Sequence, residues 1–187
     1  FAARSVLIVE SCGMTCLLLR QAVKKILPHA HFVTGQNGEE AICLIAAEKN
    51  RKSNDENYAR ADIPTHGFDI IIVGAHLFAP RNDKQNCDTK TYPKSGFQLI
   101  RLIDSEEKTA DDICSISSDG LLEVTPPRYS YLVGLSNNEV CRKELELSGA
   151  DEVWLSNTPQ MNTRLTNNLF NSLIAKRKKG VYFNRAA

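Results

Sequence analysis

The stretch FDIIIVGAHL, from Phe68 to Leu77, holds four consecutive branched apolar residues, Ile70, Ile71, Ile72 and Val73, followed at once by Gly74. The run is too short for a typical helix and rich in strand formers. It has the pattern of a strand covered on both faces, as in a parallel sheet. Gly74 stands where such a strand would end, and in open parallel α/β sheets that carboxyl edge is where ligands bind. A glycine brings no functional group to that edge.

Working outward, three more apolar runs read as strands: SVLIV at Ser5 to Val9, YLVGL at Tyr131 to Leu135 and EVWL at Glu152 to Leu155. His31 to Thr34 is a fifth, shorter candidate. Between them lie helical periodicities. Met14 to Leu27 places Leu17, Leu18, Ala22, Val23, Ile26 and Leu27 at helical spacing before Pro28. Glu39 to Lys49 turns Ala41, Ile42, Leu44 and Ile45 inward. Ser95 to Ser105 does the same with Phe97, Ile100 and either Leu99 or Ile103. Ser136 and Glu139 have capping-box spacing for a helix ending at Ser148, with Gly149 as its C-cap. A last helix, 160–177, aligns Met161, Leu165, Leu169, Phe170, Leu173 and Ile174.

Strand and helix thus alternate five times, which implies a parallel sheet with right-handed crossovers and helices on both faces. The 187 residues, 42% of them hydrophobic, suffice for one buried core, and no second domain or internal repeat is visible. Three polar, aperiodic stretches interrupt the alternation at about 50–67, 79–94 and 106–130. Loops of that length are usually functional or disordered.

A net charge of +1 argues against a nucleic-acid partner. No apolar run approaches the roughly 18 residues needed to span a membrane, and no secretory signal pattern opens the chain. The six cysteines, Cys12, Cys16, Cys43, Cys87, Cys114 and Cys141, include no CxxC pair. The expectation is reduced thiols, no zinc site and an intracellular, cytoplasmic protein, with a nuclear location left open. The basic run Lys176 to Lys179 ends a helix, where cations suit the dipole. No nucleophile–base pair stands out, so no enzymatic activity is expected.

The pieces VLIVES (Val6–Ser11), TGQNGEEAI (Thr34–Ile42), FDIIIVG (Phe68–Gly74), SGFQLI (Ser95–Ile100), YLVGLS (Tyr131–Ser136) and SGADEVWL (Ser148–Leu155) together resemble the receiver domain of two-component response regulators, over nearly the whole chain. The resemblance implies a flavodoxin-like, doubly wound five-stranded sheet of order 2-1-3-4-5. In that family an acidic pair after strand one holds a divalent metal, an aspartate ends strand three and accepts phosphate, a Ser or Thr follows strand four, and a lysine precedes a proline after strand five. Here those places hold Glu10 and Ser11, then Gly74, then Ser136, and then Ser156–Asn157–Thr158 before Pro159. Glycine is not a nucleophile, one carboxylate makes a poor magnesium site, and Asn157 cannot pair with a phosphoryl charge as a lysine would. The pattern is that of a degenerate phosphorylation pocket.

The expectation is therefore a pseudo-receiver, with no cofactor and weak or absent Mg2+ binding at Glu10. It would act by contact with a protein partner or a neighbouring domain of a larger signalling protein, or as a homodimer through the 138–177 face. Trp154 occupies the place of the family's switch aromatic and also fits a partly buried core position. Ser136 is expected to cap a helix, Glu10 to be a solvated turn carboxylate, and Asp69 to be structural. Two rivals remain at this stage: a phosphorelay receiver with a displaced acceptor such as His76, and a small-molecule sensor using the vacated pocket.

Overall fold

The computed structural model describes residues 5–53, 67–77, 93–113 and 130–154. The expected helix 160–177, Asn157, the basic run and most of the three long stretches lie outside them. The described elements are β1 (Ser5–Val9), α1 (Gly13–Ile26), β2 (His31–Gly35), α2 (Gly38–Ser53), β3 (Ile70–Gly74), α3 (Gly96–Ile113), β4 (Tyr131–Leu135), α4 (Glu139–Leu147) and β5 (Glu152–Trp154). All strands pair in parallel in the order β2-β1-β3-β4-β5, which is the expected flavodoxin-like topology.

The isoleucine run forms the central strand, and every residue of β1, β3 and β4 is buried. Alternate side chains feed two cores. Val6, Ile8, Ile70, Ile72, Val133 and Leu135 pack with Cys16, Leu19 and Val23 of α1. Leu7, Val9, Ile71, Val73 and Leu132 pack on the other face with residues of α2, α3 and α4. Gly134 belongs to this second face, where a Cβ would come within 2.9 Å of Leu145 Cδ1, so the glycine lets α4 lie close on β4.

Several sequence-level boundaries move. In α1 the inward residues are Cys16, Leu19 and Val23, whereas Leu17 and Leu18 are exposed. At about 100° per residue, three consecutive leucines cannot share one face. α2 continues past Lys49 to Ser53 because its last turn is held by charge rather than by apolar contact. Lys52 is buried, with its ammonium donating to Gly67 O at 2.6 Å and to Ser5 Oγ at 3.1 Å, and it lies 3.9 Å from Glu48. The buried Glu48 also receives a bidentate contact from Arg51, at 2.8 Å to each oxygen. α3 likewise continues beyond Ser105, through residues expected to be irregular, as far as Ile113.

The amino ends of the strands join this network. Asp69 accepts from the Ser5 amide at 2.9 Å and the Ser5 hydroxyl at 3.2 Å, the structural role expected of it. Lys52 thus ties the end of α2 to the residue that leads into β3. Lys52→Met, which keeps the stem and removes the charge, is expected to cost about 2–4 kcal/mol by leaving buried acceptors without their cation. Urea unfolding checks this; a midpoint equal to wild type would remove the network from the account.

Candidate functional site

The carboxyl edge of the sheet is built from the residues that follow β1, β3 and β4. Parallel register pairs Val9 with Val73, which sets Glu10 beside Gly74. Further across, Gly74 pairs with Leu135 and Leu135 with Trp154. Glu10 and Gly74 occupy the same sheet face one step beyond Ile8 and Ile72, by strict alternation. The Glu10 side chain therefore leans over the glycine. A Cβ on Gly74 would collide with Glu10 Oε2 and stand 3.1 Å from its carboxyl carbon. The space that a side chain at position 74 needs is already filled by the Glu10 carboxylate.

That carboxylate is held in place. Glu10 is 8% exposed, its amide donates to Gly35 O at 3.0 Å, and its Oε1 accepts from the Cys12 amide at 3.0 Å and the Ser11 hydroxyl at 3.2 Å. It is not the solvated turn carboxylate that the sequence suggests. The glycine beside it leaves a hole on the sheet, and the acid folds into the hole instead of into water.

The other side of Gly74 is equally tight. A Cβ on Gly96, the first residue of α3, would run into the Gly74 carbonyl, and the Gly96 amide donates to Ala75 O at 3.0 Å. The SG pair of Ser95–Gly96 thus has a steric reason. So does the glycine of NGEEA: a Cβ on Gly38 would meet the Pro93 carbonyl. Asn37 Oδ1 accepts from the Glu40 amide and Glu40 Oε2 from the Gln36 amide, both at 2.8 Å, which braces the start of α2.

Ser136 is buried, but it does not cap α4. Its hydroxyl donates to Asn138 O at 2.9 Å and accepts from the Asn138 amide at 3.0 Å. The N-cap is Asn138, whose side chain accepts from the Val140 amide at 2.8 Å. Asn138, immediately before the first residue of α4, takes the cap, and Ser136 shapes the turn that presents it. Gly149, at φ 101°, follows the Ser148 C-cap; Gly149 N donates to Glu146 O and Ala150 N to Leu145 O, each at 3.1 Å, a Schellman closure.

Trp154 is 4% exposed, more deeply placed than a partly buried aromatic, and its indole Nε1 finds no hydrogen-bond partner among the described residues. His76 is exposed and bridges to Ser95. Its carbonyl shares the single Ser11 hydroxyl proton with Glu10 Oε1, at 3.2 Å each, and its Nε2 lies 3.9 Å from Cys141 Sγ. The structure therefore brings together Glu10, Ser11, Gly74 and His76, places Ser136 in a turn of its own, and seats Trp154 in the core.

Magnesium would need several hard oxygens in an octahedral set. The described edge offers one carboxylate, with one oxygen already bonded to two donors and the other packed over Gly74. These residues do not fit the ion. Among the described residues no group of three or more His, Cys, Asp or Glu could hold a metal.

The cysteines separate by environment. Cys16 is buried, and burial chiefly pushes its thiol up. Cys12 and Cys43 are exposed. Cys12, the residue at the N-cap of α1, has its thiol lowered, first by a hydrogen bond from the Thr15 side chain and then by the Thr15 and Met14 amides. Composition alone could not separate these thiols, because the separation depends on where α1 begins.

Among solved structures, the chain is similar to the receiver domain of the histidine kinase CKI1 from Arabidopsis thaliana, with a TM-score of 0.59, 14% identity and 91% of each chain covered. The fold is that of a receiver domain. The chain is also similar to NtrX from Brucella abortus (TM-score 0.56, 14% identity), spanning 99% of this chain and 30% of that one. A third receiver fold is that of Ssk1 from Saccharomyces cerevisiae, solved with the histidine phosphotransfer signaling protein Ypd1, at TM-score 0.51 and 18% identity over 95% of this chain and 93% of that one. No family model matches the chain, and no curated protein does at a significant level. Among the described residues no helix is long and apolar enough to cross a membrane.

Within this receiver fold, Cys12 should alkylate with iodoacetamide at a half-maximal pH below the ordinary thiol value of 9.0. Thr15→Val should move that pH upward, as read by peptide mapping. An unchanged profile in the variant would show that the Thr15 hydroxyl does not set the thiol.

Proposed function

We propose that the chain is a receiver-type signalling module that works without phosphoryl transfer, by contact with other proteins. The observation that carries this reading is the Glu10 carboxylate lying in the space above Gly74. An in-line phosphoryl transfer needs a nucleophile with room on its far side for the donor. Position 74 supplies no nucleophile, and its room is taken by an anion that would repel a phosphoryl group. Ser136, the place of the family's switch hydroxyl, spends both its donor and an acceptor lone pair on Asn138. Neither an enzymatic activity nor a bound cofactor is part of the proposal, and Mg2+ binding is weak or absent.

Contact surfaces are available. Val140 and Leu147 on α4 are 67% and 83% exposed, within the face where a homodimer was expected, and Met14, Leu17 and Leu18 form an exposed set on α1. Grouped exposed apolar side chains of this kind mark interaction sites more often than scattered ones do. The partner is a protein or a neighbouring domain of a larger signalling protein. The Ssk1 receiver, which shares the fold, was solved in complex with a phosphotransfer protein.

Incubation with acetyl phosphate and magnesium, read by intact mass, should add no phosphoryl group. A stoichiometric adduct would overturn the reading, and its position, His76 above all, would restore a phosphorelay role. If the α4 face carries a homodimer, Leu147→Glu should shift the sedimentation of the chain toward monomer at a fixed concentration; a variant that sediments as wild type removes that face from the dimer.

A further inference from the structure

Away from the carboxyl edge, the sheet carries a cleft on one face. It lies between α2 and α3 above the middle of β3 and has a volume of about 140 Å³. Its walls are Ile42, Ile45 and Ala46 from α2, Leu102 and Ile103 from α3, and Ile71 at the floor. A dry apolar cavity of about 150 Å³ is large enough to hold benzene, so this one suits a ligand of single-ring size.

The polar atoms around the cleft decide what would fill it. A bound water needs two to four polar partners. Ser130 lines the cleft, yet its hydroxyl already donates to Phe68 O at 2.9 Å. Gly67 lines it too, and its carbonyl already accepts from Lys52 Nζ at 2.6 Å. The remaining polar lining is Lys49 and Glu106, which face each other at 3.7 Å across the two helices, with side chains 44% and 57% exposed. The Ser130 hydroxyl has given its proton and the Gly67 carbonyl one lone pair, so the base offers only leftover acceptor sites, the mouth is wet, and the walls between are aliphatic. Water inside gains few hydrogen bonds; an apolar molecule gains contact with up to six aliphatic side chains.

We propose that the cleft between α2 and α3 is a binding site for a small apolar molecule, with the Lys49–Glu106 ion pair at its entrance. The site is separate from the carboxyl edge and does not depend on whether that edge transfers phosphate. Entry parts two half-exposed, rotatable side chains, and their ion pair is of the exposed kind that costs little to separate.

The test is a titration of the full 187-residue chain, methyl-labelled at Ile and Leu, with benzene and with indole. Saturable shifts should appear at Ile42, Ile45, Ile71, Leu102 and Ile103, while the exposed Leu17, Leu18 and Leu147 stay in place. Ala46→Phe, which puts a ring into the wall from an exposed position, should weaken binding at least tenfold. No shift up to the solubility limit of benzene, or shifts of equal size at Leu17 and Leu147, would overturn the proposal. So would unchanged affinity in a folded Ala46→Phe variant. The wild-type titration decides the question even if that variant does not fold.

Discussion

The backbone of Gly74 is pressed from two sides, by the Glu10 carboxylate on its own sheet face and by the first residue of α3, Gly96, against its carbonyl. The backbone ladder fixes the spacing of β1 and β3, and the glycine at position 96 lets the first turn of α3 come close to the end of β3. Gly96 can come close enough to donate to Ala75 because it carries no side chain, since a Cβ there would run into the Gly74 carbonyl. Ser11 reaches the His76 carbonyl only because the β3–α3 turn lies close against the β1–α1 turn. The residues that follow β1, β3 and β4 meet at this edge. Here the same geometry has closed around a buried acid.

The donors around Glu10 account for how the carboxylate is kept in that place. An isolated buried carboxylate is costly unless hydrogen-bonded, and Glu10 obtains its bonds from the Cys12 amide and the Ser11 hydroxyl. Those donors sit at the start of α1, where the helix dipole favours negative charge. The same turn holds the lowered Cys12 thiol, so one short segment carries both an anchored carboxylate and an exposed, low-pKa cysteine. Far from that edge, Lys52 and Glu48 show that this protein uses buried charge as structure at the amino ends of its strands as well.

Much of the fold could be read from the residues because its signals were local. The run at Ile70 to Val73 fits a covered strand, its alternation with helical periods implies a parallel sheet, and the receiver resemblance implies the order 2-1-3-4-5 that the sheet adopts. The boundaries that moved did so where polar residues took apolar places. Glu48 and Lys52 hide the last turn of α2 from any hydrophobic count, and Leu17 and Leu18 outvote Cys16 in one. At the edge, the residue types at positions 10, 74 and 136 were legible. Their relations were not, because the contact between Glu10 and Gly74 depends on the register of β1 against β3. The cap expected of Ser136 falls to Asn138 because the helix starts at Glu139, a boundary that two equally good capping residues do not reveal.

A double-mutant cycle at positions 10 and 74 tests the closed edge most directly. Gly74→Ala must displace the Glu10 carboxylate from its donors, so it should cost about 1–2 kcal/mol in urea unfolding. In a Glu10→Ala background the same substitution should be close to neutral, giving a coupling near the full cost. Equal costs of Gly74→Ala in both backgrounds would mean that the carboxylate does not fill the space above Gly74, and the account of this edge would fail.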